Sequence, residues 1–373
     1  MPIYWSMLGA SALVGILNFF ISPTKLKINE KTEYRTHIAL AIMFFGYIAL
    51  LCTYRDKVLD TGAYIASFNS APSEWDRIGD YIEGKENGRG FYLIQAVFKT
   101  LITDDHYAWL GFISIISIAC LARGLYRNTE SFPLTAFLFI ATTNFTWLLN
   151  GTRQFLAVCI LFAFSDWLMK GKKWRYILLV LLLSEIHNSA IFVIPVCLFI
   201  NSKKVWGGKM LIFIALTILA TIFSEETFAF ANMVTDKSYL DQLEAGTGSN
   251  IVRLFVSLVP VAIIGLTYKL VEREADEKIK LAANMSLVSA CFYFAATFTD
   301  GVLIGRMPIY FGIYNLYLIP WLLKHCFTKI SGRIITIVCI VLYIIYFYYQ
   351  MVIIGMGDVY VSDFLGINYY YTW

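Results

Sequence analysis

The sequence predicts an all-α integral membrane protein, a polytopic helical bundle of about 10–12 transmembrane segments. Three observations carry this. Hydrophobic residues make up 58% of the chain, and the mean hydropathy is +0.65. Charged residues reach only 15%, against roughly 25% in a soluble domain. Apolar runs of about 18–22 residues, the length of helix that a hydrocarbon core of about 30 Å requires, recur to the end of the chain. No soluble domain fits between them, so 1–373 is expected as a single transmembrane domain. No internal repeat or low-complexity stretch interrupts it.

Residues 1–21 form the first expected span; no small-residue cleavage site follows, so the run reads as a span and not as a signal peptide. Residues 22–36 are a polar loop with Lys25, Lys27, Lys31 and Arg35. The second span is 37–54, and a long polar segment, 55–90, follows it. Residues 91–102 are apolar but too short to cross, so they are expected to lie in the interface or to re-enter. Spans follow at 106–125, 132–149 and 152–169. Tyr4, Trp5, Trp147, Trp174 and Trp206 stand near run ends, where amphipathic rings favour the interface. The seven cysteines show no paired metal-type spacing, and most lie inside apolar runs as small core residues.

The run 176–200 is interrupted by E-I-H-N-S at 185–189. It is flanked by K-G-K-K-W-R at 170–175 and by Asn201-Ser202-Lys203-Lys204. A single crossing would force one of two strongly basic loops outward, against the cytoplasmic bias of Lys and Arg. A re-entrant or broken helical hairpin near 176–200 keeps both loops on one side and puts His187 at its apex. Further spans are expected at 205–223, 251–271, 281–299, 307–323 and 334–354, with a polar, Tyr-rich tail to residue 373. Alternation from an outward N-terminus places 20 of the 30 Lys and Arg in inner loops.

That orientation brings Arg55, Asp60, Arg153, His187 and Arg306 to the outer face, beneath the outer loops 55–90 and 225–250. Arg153 stands in N-G-T-R-Q between two apolar runs, where an unpaired charge costs at least about 2.5–3.5 kcal/mol and marks a functional site by default. Its planar fork suits phosphate oxygens, and helix-terminal N–H groups beside Arg153 and Gln154 favour an anion. Snorkelling to head groups is the plain alternative. Arg55 is a second candidate anion ligand, with Asp60 to orient the anion or accept a proton; an ordinary loop ion pair is the alternative. Asp60 and Tyr64 are i, i+4 neighbours. His187 is a candidate general base, with Glu185 able to orient it or cap the break, although a lone His in an apolar run is more often structural. Arg306 is flanked by Asp300 and Tyr310, with Tyr310 on the same helix face if Pro308 falls in the first turn. Three arginines on one face suit an anion the size of pyrophosphate. No nucleotide-binding Gly-rich loop, zinc site or D-x-D pair is present, so neither cofactor nor metal is expected. The basic loops are assigned to topology and membrane lipid, not to nucleic acid.

R-D-K-V-L-D-T-G-A-Y at 55–64, G-T-R-Q-F-L-A at 151–157, E-I-H-N-S-A at 185–190 and G-R-M-P-I-Y at 305–310 together resemble the EpsG family of bacterial membrane proteins, Wzy-like polymerases of exopolysaccharide, capsule and O-antigen. The resemblance implies a GT-C-like polymerase architecture in the inner (plasma) membrane, with its active site facing the periplasm or cell exterior. It implies a metal-independent, inverting glycosyltransferase that joins undecaprenyl-pyrophosphate-linked oligosaccharide repeat units and releases undecaprenyl pyrophosphate. Donor and acceptor are then both lipid-linked, and a chain-length regulator protein is a further implied partner. Arg153 and Arg306, with Arg55, would neutralise the pyrophosphate; His187 or Asp60 would take the acceptor proton. Members often carry an acidic-Pro-Gly-aromatic pattern after the first outer loop, where this chain has Gly88-Arg89-Gly90-Phe91 with Glu86 displaced. Arg89 then binds an anionic repeat unit, or the role is absent. The rival readings are a lipid-linked oligosaccharide flippase and an O-antigen-ligase-like transferase.

Overall fold

The computed structural model describes residues 1–28, 31–224, 248–299 and 304–370. The expected outer loop 225–250 falls mostly outside these residues, as does Asp300. Apart from two short pairs of strands, the regular structure of the described residues is helical, and the chain divides into two compact units. The first comprises Met1–Phe164, Leu178–Ile191 and Lys329–Trp373, the second Ser165–Ile177 and Phe192–Thr328.

The first unit opens with α1 (Pro2–Leu17), an antiparallel pair β1 (Thr24–Ile28) and β2 (Lys31–Arg35), and α2 (Ile38–Thr53). The loop expected at 22–36 is thus a hairpin; its alternation of Lys with Leu and Ile has the two-residue period of a strand. Next come α3 (Thr61–Ser70), α4 (Ile78–Glu83), α5 (Arg89–Leu101), α6 (His106–Asn128), α7 (Phe132–Ala141), α8 (Thr146–Leu149) and α9 (Thr152–Ala163). The span expected at 132–149 is broken between α7 and α8, where Thr143 holds φ +59, a left-handed value that a helix cannot continue through. The span expected at 152–169 breaks after α9, and α10 (Asp166–Met169) belongs to the second unit.

In the first unit α6 packs against α2 and α9. The close approach depends on two glycines: a Cβ on Gly124 would collide with the Phe162 ring, and one on Gly111 would lie 3.0 Å from Thr53 Cγ2. α5 has 13 residues, about 20 Å at 1.5 Å per residue and too short for a bilayer core of about 30 Å. It buries Phe91, Gln95, Ala96 and Phe98 and leaves Leu93, Ile94 and Leu101 exposed. Lys99 donates to the carbonyls of Phe68, Asn69 and Ala71 at 3.1, 2.8 and 2.8 Å. It thereby ties the end of α3 to α5, since a cation satisfies terminal helix carbonyls.

The second unit contains α10, the first residues of α11 (Lys173–Ser184), α12 (Val193–Phe199) and α13 (Gly208–Ile222). It continues with α14 (Ile251–Leu266), α15 (Tyr268–Glu274), α16 (Glu277–Phe298), α17 (Ile309–Gly312) and α18 (Asn315–His325). α14 and α15 meet at an 82° bend. The 176–200 run takes a hairpin form: α11 ends at Ser184, residues 185–187 break it, and a 3-10 turn (Asn188–Phe192) leads into α12. Its two ends meet, because Lys173 Nζ donates to the carbonyls of Cys197 and Ile200 at 2.9 and 2.8 Å.

The chain returns to the first unit through α19 (Lys329–Tyr348), a π-helical turn (Tyr349–Ile353), and the antiparallel pair β3 (Val359–Ser362) and β4 (Ile367–Tyr370). Ile334, Ile337, Val341 and Ile345 of α19 are exposed, an apolar stripe suited to lipid. Among the described residues, α6, α16 and the segment Lys329–Ile353 are long and apolar enough to cross a membrane singly, and the bent pair α14–α15 makes a fourth. Shorter apolar helices, Pro2–Leu17, Ile38–Thr53 and Gly208–Ile222, lie within the spans expected at 1–21, 37–54 and 205–223, whereas the span expected at 307–323 is split between α17 and α18. This is a membrane protein of mainly α-helical structure.

Gly124→Ala is expected to lower the melting temperature of the detergent-solubilised protein. Overpacking costs about 1–3 kcal/mol, while the gain in helix propensity is about 1 kcal/mol. Phe162→Leu, which removes the opposing ring, should make the double variant lose less than the sum of the single losses.

Candidate functional site

The polar residues of the first outer segment are arranged by one buried arginine. Arg55 follows α2 and is fully buried. Its Nε donates to Thr61 Oγ1 at 3.0 Å, one Nη to Thr152 Oγ1 at 3.3 Å, and the other Nη to the Cys52 carbonyl. A carbonyl near the C-terminus of a helix is a good acceptor for a cation. Thr61 and Thr152 are the first residues of α3 and α9. The guanidinium therefore fixes the starts of two helices, those that carry Asp60 at the N-cap of α3 and Arg153 in the first turn of α9. Its fork faces protein and not solvent.

Arg153 is half-buried, and Gln154 beside it is buried. α9 begins at Gly151 with φ +72, a conformation that glycine adopts without strain. The Arg153 guanidinium carbon lies 5.5 Å from the ring centroid of Phe91 and 5.4 Å from that of Tyr92. Both rings are in the first turn of α5, so the charge rests on aromatic faces, a favourable contact. Gly88 caps α5 with φ +73; a Cβ there would come within 3.0 Å of Arg153 Nη1 and 3.1 Å of the Ile186 carbonyl oxygen. Gly90 is as tight, since its Cβ would meet Glu185 Cβ at 2.9 Å. The Phe91 N–H donates to the Glu185 carbonyl at 3.3 Å. Asn188 Nδ2 donates to Asn87 Oδ1. These contacts hold the start of α5 against the 185–188 break, with Arg153 alongside.

His187 is half-buried within that break, its Nδ1 2.7 Å from Ser189 Oγ. Glu185 is exposed, so it contributes its backbone carbonyl to the junction. Asp60 is exposed, and its carbonyl accepts the Tyr64 N–H at 3.3 Å. The Tyr64 ring meets the Phe91 ring edge-on with centroids 6.5 Å apart. Asp60, Tyr64, Phe91 and Arg153 thus form a continuous series of neighbours in the first unit. Arg89 is exposed, and its Nε donates to the Lys85 carbonyl at 3.0 Å.

Arg306 and Tyr310 belong to the second unit. Arg306 ends a 3-10 turn (Ile304–Arg306) and is exposed, whereas Tyr310 is buried in α17, which starts only after Pro308. The common helix face expected for this pair is not formed, because the turn at residues 307–308 separates the two elements.

Sequence reasoning missed the role of the C-terminal hairpin and of Asp56. The Asp56 and Val361 backbones are joined by a 2.8 Å bond from the Asp56 N–H. Asp56 Oδ1 accepts from Tyr107 OH at 2.7 Å and Oδ2 from the Asp363 N–H at 2.7 Å. Tyr360 OH donates to the Leu51 carbonyl at 2.8 Å, and Phe364 stacks on Tyr54 with centroids 3.8 Å apart. The platform of Phe91 and Tyr92 was also missed, although the glycines on either side of Arg89 are a signal of close backbone approach.

No curated protein and no solved structure matches the chain. The sequence model of the EpsG family matches residues 37–361, a span that contains Arg55, Arg153, His187 and Arg306 with nearly the whole chain around them, and the protein belongs to the EpsG family.

Proposed function

We propose that this protein is an exopolysaccharide repeat-unit polymerase, a Wzy-type glycosyltransferase acting on lipid-linked sugars at the outer face of the bacterial plasma membrane. Family membership supports the polymerase role. The observation that carries the residue-level reading is Arg153: a half-buried guanidinium at a helix start, resting on Phe91 and Tyr92 and bordered by the His187 break.

In the proposed reaction an acceptor sugar hydroxyl attacks the anomeric carbon of the donor repeat unit from the face opposite the leaving group, with inversion. The new C–O bond forms as the bond to undecaprenyl pyrophosphate breaks, and the electron pair leaves with the pyrophosphate. Arg153 stabilises that developing charge, the work that preorganised cations do in a water-poor site. Flat aromatic faces hold the guanidinium in place and also suit the apolar faces of a sugar ring. Arg306 has the same proposed task from its sequence motif alone. The acceptor proton goes to His187 or to Asp60. For His187 to accept at Nε2, Nδ1 must carry the hydrogen and donate to Ser189, which fixes the tautomer. Arg55 is proposed as a positioning residue, because its N–H groups are engaged by Thr61, Thr152 and Cys52.

Arg153→Ala and Arg306→Ala are each expected to abolish long polymer on gels while the protein remains in the membrane; normal chain lengths in both would overturn the reading. Purified protein given a single lipid-linked repeat unit should produce a ladder, whereas a ligase or flippase would produce none. Chelator should leave the ladder unchanged. The base is identified by the pH profile of turnover: His187→Gln should remove its acidic limb. If the limb persists in that variant and disappears in Asp60→Asn, Asp60 is the base. Thr152→Val should lower turnover several-fold without moving the limb, the signature of a positioning contact; a shifted limb would place the effect on the base.

A further inference from the structure

A second concentration of charge lies within the second unit, and none of its lysines belongs to the candidate site. A cavity of about 460 Å³ is lined by Lys170, Lys173, Lys203 and Lys209, with Glu277 and an apolar wall that includes Leu168 and Ile200. Its volume is within the range of small-molecule sites, roughly 300–1,000 Å³. Asp166 Oδ2 holds Lys170 at 2.9 Å, and Lys173 is occupied by the carbonyls of Cys197 and Ile200. Among the described residues Lys203 and Lys209 show no side-chain hydrogen bond or ion pair, both are exposed at the cavity's lining, and Glu277 is the one acid in that lining.

The arrangement opposes the fold's own preferences. Lys173 opens α11, and Lys209 stands in the first turn of α13, the positive end of a helix, where a cation is disfavoured. Burial first, and the neighbouring Lys209 ammonium second, hold the Lys173 ammonium below the usual lysine range. Like charges kept together at two helix starts around a hollow are relieved by an anion within it. The apolar wall on one side favours an anion that carries hydrocarbon.

We propose that this cavity binds a phosphate-bearing group through Lys203 and Lys209, with Lys173 as a fixed neighbouring charge. The two sources of that chemistry are an anionic phospholipid headgroup, drawn from the leaflet that the basic loops 170–175 and 201–209 face, and a soluble phosphate compound. The site is independent of the polymerase reading and is tested without any glycan substrate.

The test is thermal unfolding of the purified full chain in nanodiscs. One arm compares neutral phosphatidylcholine with phosphatidylcholine containing phosphatidylglycerol; the other adds inorganic phosphate or pyrophosphate to neutral discs. Wild type should gain about 3 °C or more in at least one arm, and the responding arm identifies the source. Lys203→Ala/Lys209→Ala should lose that gain, and Lys203→Arg/Lys209→Arg should keep it. Lys25→Ala/Lys329→Ala, which removes two charges from other basic loops, should respond as wild type does. No gain in either arm, an unchanged gain in the Ala pair, or an equal loss in the Lys25/Lys329 control would overturn the proposal.

Discussion

A guanidinium removed from water is costly, with an effective penalty of several kcal/mol even after relaxation, unless its N–H groups are met. Arg55 is such a group, and the way it is met organises the first unit. Among the described residues no carboxylate pairs with it. Two threonine hydroxyls and a carbonyl near the C-terminus of α2 take its hydrogens. Because those acceptors belong to the end of α2 and the starts of α3 and α9, one side chain joins three helix termini that would otherwise leave polar groups unmatched. The positions of Asp60 and Arg153 follow from it: each is one residue from a threonine that Arg55 holds.

The C-terminal hairpin supports the same elbow from the other side. β3 adds backbone pairing to residues 56 and 57, Tyr360 satisfies Leu51, and Asp56 is bound by Tyr107 and by the Asp363 N–H. Tyr4 of α1 donates to the Val359 carbonyl at 2.9 Å. The first helix, the elbow after the second and the last strands of the chain are therefore coupled in one hydrogen-bonded set, although more than 300 residues separate its ends in sequence. A polar network of this kind fixes geometry when every member is satisfied.

How much of this the sequence disclosed depended on the kind of signal. The place of Arg153 at a helix start was legible because it stands between two apolar runs, and the 176–200 hairpin because two basic loops flanked one run. The direction in which Arg55 points was not legible: an arginine in a polar loop reads alike whether its partners are phosphate oxygens or the hydroxyls of Thr61 and Thr152. The break between α7 and α8 lies in T-T-N, without the Gly or Pro that usually announces one. The C-terminal strands are four residues each and pair within a Tyr-rich tail, too short for alternation to stand out from composition. The Phe91–Tyr92 platform depends on contacts between segments some 60 residues apart, which periodicity does not encode.

Arginine and lysine divide between the two charged features in a way that follows from their chemistry. The cation proposed to act in the first unit, Arg153, is an arginine, and the cations in the lining of the cavity in the second unit are all lysine. A guanidinium has a planar fork and rests on aromatic rings, as Arg153 does on Phe91 and Tyr92, which keeps its donors aimed. An ammonium is a compact, strongly hydrated point charge on a flexible stem; it attracts an anion without fixing its orientation. A group that must be held through bond breaking calls for the first, and one that has only to reside calls for the second. The residue types thus agree with the catalytic role proposed for Arg153 and the retention proposed for the lysine-lined cavity.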